Sequence, residues 1–117
     1  MSKVAIITLQ DFRNAVKFGV KVGVFHHRHW NKEKGYEVKE MPPRVVSKVG
    51  TKCFSLLTQK TDGSWQDQWV NWPKASQVTV RDNTVFFFEK DEKANIDILI
   101  SEYWVIQDDK HSKKTNS

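Results

Sequence analysis

The sequence predicts an α+β fold, mostly antiparallel β, with one short N-terminal helix and a bent sheet or small partly open barrel as its body. Three observations carry that prediction. The chain of 117 residues is enough for one domain with an ordinary hydrophobic core, and it shows no linker, repeat or break in composition. Helical spacing of apolar residues occurs once, before residue 19, and two-residue alternation dominates afterwards. Turn signals recur at short intervals, which suits short strands in a small sheet. Five Trp and seven Phe supply the buried area that a hydrophobic fraction of 38% would otherwise lack, since each ring buries roughly 150–250 Å².

Lys3 to Thr8 reads as a short strand or lead-in. Thr8-Leu9-Gln10-Asp11 is a capping pattern, and Leu9, Phe12, Ala15 and Val16 then recur on one helical face. The helix is expected over 9–18, with Gly19 after its end. Val20, Val22 and Val24 share one face of a strand that runs on to Arg28. Residues 31–35 form a charged loop, and Tyr36 to Met41 alternates again. Pro42-Pro43 is expected to end that strand, because two adjacent prolines remove two backbone donors.

Further strands are expected over 44–49, 52–59, 65–72, 77–81, 84–90 and 96–106. Asp82-Asn83 reads as a two-residue hairpin loop, since both residues tolerate positive φ. The tail, 107–117, has no large apolar residue and is expected to be disordered, which places the domain at 1–106.

The charge distribution bears most directly on function. Residues 1–52 hold a net charge of +7, residues 53–117 a net of −2. One pole of the molecule can therefore attract polyanions while the other repels them. Lys21, His26, His27, Arg28, His29, Lys32 and Lys34 gather in a short span beside Trp30. They are the expected nucleic-acid contacts, to DNA or RNA, with little sequence preference because no recognition helix or zinc-finger spacing is present. Alternation places His27 and His29 on the face of Phe25, and His26 and Arg28 on the other.

Trp65, Trp69 and Trp72 form a second cluster. They are either packing residues or an exposed aromatic surface, which would stack on unpaired bases or anchor a protein interface. Phe86-Phe87-Phe88 reads as a buried strand with room for one exposed ring.

Signatures of catalysis are missing: there is no Gly-rich phosphate loop, Gly-x-Ser-x-Gly, HExxH or paired-Cys motif. The chain reads as a non-enzyme with no cofactor. A nuclease using His27 or His29 with a carboxylate from another strand is the catalytic alternative. Metal binding by His27 and His29 would need ligands that the local spacing does not supply. The one cysteine, Cys53, excludes an internal disulfide and reads as a small buried hydrophobe. No apolar run is long enough to span a membrane, so a cytoplasmic location is expected.

The run FRNAVKFGVKV, followed by His29-Trp30-Asn31, resembles the opening of one group of phage-encoded anti-defence proteins. In those a short helix leads through Gly-x-x-Val into Trp-Asn. The layout of the chain is also similar to that of small uncharacterised proteins of bacteriophage and prophage early regions. The resemblance covers about 25 residues, departs by an insertion before His29, and transfers no site residue. It implies an accessory protein that acts by binding, in the host cytoplasm. The two functions expected are thus a basic nucleic-acid-binding protein and, alternatively, an inhibitor or modulator of an acidic host protein.

Overall fold

The computed structural model describes residues 2–107, and for 29–31 the backbone alone. One helix, α1 (Leu9–Ala15), precedes seven strands: β1 (Lys21–Asn31), β2 (Gly35–Val49), β3 (Cys53–Gln59), β4 (Trp65–Asn71), β5 (Val78–Arg81), β6 (Thr84–Asp91) and β7 (Ile96–Val105). All strand pairs are antiparallel, in the order β4-β3-β2-β1-β7-β6-β5. The edges β4 and β5 do not pair, so the sheet is open and no barrel closes.

The sheet curls strongly. Six spacings of about 4.8 Å would put β4 and β5 ~29 Å apart if it were flat. The connection from Asn71 to Val78 contains a short 3-10 turn, Ala75–Gln77, and even extended it would reach only ~25 Å. The curl is visible in the rings. Phe54 on β3 and Tyr103 on β7 are three strand spacings apart, ~14 Å when flat, yet their centroids lie 6.3 Å from each other.

The concave side is the core. Val22 and Val24 of β1, Val46 of β2, Phe54 and Leu56 of β3, Val85 of β6 and Tyr103 and Val105 of β7 are buried there. Helix α1 lies over this side and drives Phe12 into it, with ring centroids 6.1 Å from Phe54, 6.1 Å from Trp72 and 6.5 Å from Phe87. Burial of Tyr103 raises its phenol pKa, and burial lowers that of neighbouring Arg44.

The helix starts where the capping pattern puts it. The Asp11 N–H donates to Thr8 Oγ1 at 3.1 Å, and the Thr8 N–H donates to Asp11 Oδ2 at 3.1 Å. It ends earlier than expected, at Ala15, because Val16 turns to extended backbone while staying buried in the core. Gly19 then takes a φ of 84°.

Pro42-Pro43 does not end a strand. β2 runs through both prolines to Val49. The register between β1 and β2 shifts there, from Val22↔Arg44 to Val24↔Met41, so the prolines sit in a bulge where no ladder donor is required. On the other edge β3 begins to pair only at Val45. The Asp82-Asn83 hairpin forms as expected, with φ of 54° and 59°.

The N-terminal segment joins the sheet through a bridge from Lys3 to Ile106. Gln107 belongs with it, donating its N–H to the Ser2 carbonyl at 3.0 Å. The rest of the expected tail, 108–117, lies outside the described residues. No described helix is long and apolar enough to cross a membrane.

Candidate nucleic-acid interface

Strand alternation places the side chains of the convex side by register, and no described helix covers them. Phe25 pairs with Glu40 and Glu102, Trp69 with Ser55, and Phe86 with Thr79 and Glu102. Trp65 and Trp69 stand on edge strand β4, 59% and 53% exposed, and Tyr36 on β2 is 60% exposed. Trp104 and Phe86 are half-buried on the same side.

Four of these rings carry a cation. Lys3 Nζ is 4.9 Å from the Trp104 centroid, Arg28 Cζ 4.4 Å from Tyr36, Lys48 Nζ 5.5 Å from Trp69, and Arg81 Cζ 5.1 Å from Phe86. The rings belong to β7, β2, β4 and β6, so the pairs span the sheet. The acids of this side are mostly engaged. Lys48 pairs with Asp67 at 3.2 Å. The hydroxyl of Ser47, first, and Lys48, second, hold the Asp67 carboxyl below the usual carboxylate range. Glu102 meets His27 Nε2 at 2.5 Å.

The structure divides the basic cluster. Lys21 and His27 face the convex side, and His27 packs on the Phe25 ring at 4.9 Å. A bulge at 27–28 brings Arg28 round to Tyr36 on that side too, against the simple alternation that put it with His26. His26 faces the concave side, its Nδ1 within 3.1 Å of Ser101 Oγ. Lys32 and Lys34 are exposed at the β1–β2 turn. The side chains of His29 and Trp30 lie outside the described residues.

Trp72 leaves the aromatic set. Its ring packs on Phe54 at 4.6 Å, Arg13 covers it at 4.7 Å, and its Nε1 donates to the Gly50 carbonyl at 2.9 Å. It is half-buried and packs against the core. Phe87 joins that core, while Phe86 is the ring on the convex side. Cys53 is half-buried rather than fully buried. Phe25, Trp104 and Tyr36 were missed as site candidates, whereas Phe86 is the ring for which the Phe86-Phe87-Phe88 run left room. A ring next to a charge is common in any strand, and only the cross-strand register shows that they share one side.

The His27–Glu102 contact supplies one imidazole–carboxylate pair, as the nuclease alternative requires of its base. No group of three or more metal-donor side chains gathers among the described residues. No protein-family model, curated protein or solved structure matches the chain.

Proposed function

We propose that this protein binds single-stranded nucleic acid across the convex side of its sheet, as a non-catalytic accessory protein. The observation that carries this reading is the set of four cation-bearing rings on a sheet face that no described helix covers. An exposed ring stacks on an unpaired base for roughly 1–3 kcal/mol, and a neighbouring Lys or Arg neutralises phosphate. Paired bases cannot reach such rings, so duplex is the weaker ligand. The resemblance of the N-terminal stretch to phage accessory proteins supports binding rather than catalysis.

Fluorescence anisotropy with labelled single-stranded and duplex oligonucleotides tests it. Single strands should bind more tightly than duplex at equal salt. Trp69→Ala should weaken single-strand binding by ~5- to 150-fold, the equivalent of one lost stack. Failure of every DNA and RNA oligonucleotide to bind at ~50 mM salt would overturn the reading.

One observation favours a second reading. Trp65 and Trp69 stand exposed on an edge strand, where unpaired backbone can accept another strand and indoles anchor interfaces. In that case the protein modulates an acidic host protein, and Trp69→Ala abolishes capture of that partner while oligonucleotides fail to bind.

A further inference from the structure

The N-terminal segment, β1, β2 and β7 border an open hollow of about 540 Å³ on the convex side. Phe25, Trp104 and Pro43 form apolar walls, and Lys3, Glu40 and Glu102 add charge. Gly23 allows the Trp104 wall to take its place. A Cβ on it would stand 2.0 Å from Trp104 Cε2, so the indole lies directly on the glycine backbone. The outer side of that indole already holds a cation, since Lys3 Nζ sits over it and donates to Thr84 Oγ1 at 2.7 Å. What the cavity leaves open is therefore its acceptor wall. His27 engages Glu102, but Glu40 makes no hydrogen bond or ion pair with the described residues.

An open carboxylate is a poor lining for phosphate and a good one for neutral N–H donors. Among the bases only guanine presents two adjacent donors, N1–H and the N2 amine, on its Watson–Crick edge, and they match the two oxygens of one carboxylate. Adenine and cytosine place an acceptor beside their single amine. Uracil and thymine flank their one N–H with carbonyls. We propose that this cavity is a base pocket selective for guanine within a bound single strand. Glu40 accepts from N1–H and N2–H, while Trp104 and Phe25 supply the apolar walls. The proposal rests on the single-strand reading above.

The test uses the full chain and labelled oligo(dT) carrying one central guanine, hypoxanthine or adenine. Guanine should be preferred over adenine by ~5- to 150-fold, the discrimination of one good bidentate contact. Hypoxanthine, which lacks the N2 amine, should fall between them. Glu40→Gln should bring the guanine-to-adenine ratio close to one, and since Glu40 is exposed the variant should fold. Equal affinity for all three oligonucleotides overturns the pocket and leaves the sheet-face reading standing. A guanine preference that survives Glu40→Gln also overturns it. Binding to none of them overturns both readings.

Discussion

The side chains that organise this molecule act through small local contacts, and some of those contacts are visible in the order of residues. Asp11 is one. The N–H groups of Ile7 and Thr8 hold its carboxyl below the usual carboxylate range. The folded state therefore binds that proton less readily than the unfolded chain does. The resulting stabilisation is present above the ordinary Asp pKa, about 3.9, and is lost as pH falls through the lower folded value. Asp11→Asn should melt earlier than wild type at neutral pH, and the two melting curves should converge on acidification below pH ~3. Circular dichroism melts across that range check it, and a difference that stays constant with pH would mean that the carboxylate charge plays no part in the cap. The spacing of Thr8 and Asp11 made this contact legible. The seating of Trp104 on Gly23 was not, because nothing in either local sequence indicates that the two strands pair at that position.

At the scale of elements, sequence patterns gave the strands well and their ends less well. The helix stops at Ala15 because the core takes Val16, a tertiary demand that local spacing does not contain. Strand β2 passes Pro42-Pro43 because a bulge spares the donors that the prolines lack, and a bulge is a property of two strands together. The β5–β6 hairpin is the opposite case, since Asp82 and Asn83 announce their own left-handed backbone. They are not equivalent, however. The Asn83 side chain also accepts the Ile6 N–H at 3.0 Å and so ties the N-terminal segment to the turn. Asp82→Gly relieves positive φ and should raise stability by ~0.5–1 kcal/mol. Asn83→Gly gains the same relief but forfeits that bond, worth about 1 kcal/mol, and should leave stability unchanged or lower. Chemical denaturation of the two variants separates the cases, and equal stabilisation by both would show that the Asn83–Ile6 bond contributes nothing.

For the whole molecule, the charge split acquires a shape. Beyond His26 and Ser101, β1 and β7 no longer pair, and each continues beside its other neighbour. Because β1 and β7 are antiparallel, the two resulting ribbons leave the same end of the sheet. The ribbon of 27–40 carries Arg28, Lys32, Lys34 and Lys39 against three glutamates, and that of 88–100 carries Lys90 and Lys93 against Glu89, Asp91, Glu92 and Asp97. The separation was legible as two halves of a sequence, but its expression as two ribbons, and the convex rings between the edges, needed the register. A bound strand that follows the rings should reach the first ribbon and avoid the second. Each phosphate released from its counterions contributes about 0.7 to the slope of log K against log salt for a single strand. Replacing Lys32 and Lys34 together by Ala should lower that slope by about 1.4 and weaken binding most at low salt. The same double replacement at Lys90 and Lys93 removes an equal formal charge and should leave the slope nearly unchanged. Salt titrations of both variants by anisotropy decide the point: equal losses would mean that net charge alone attracts the ligand, with no path across the sheet.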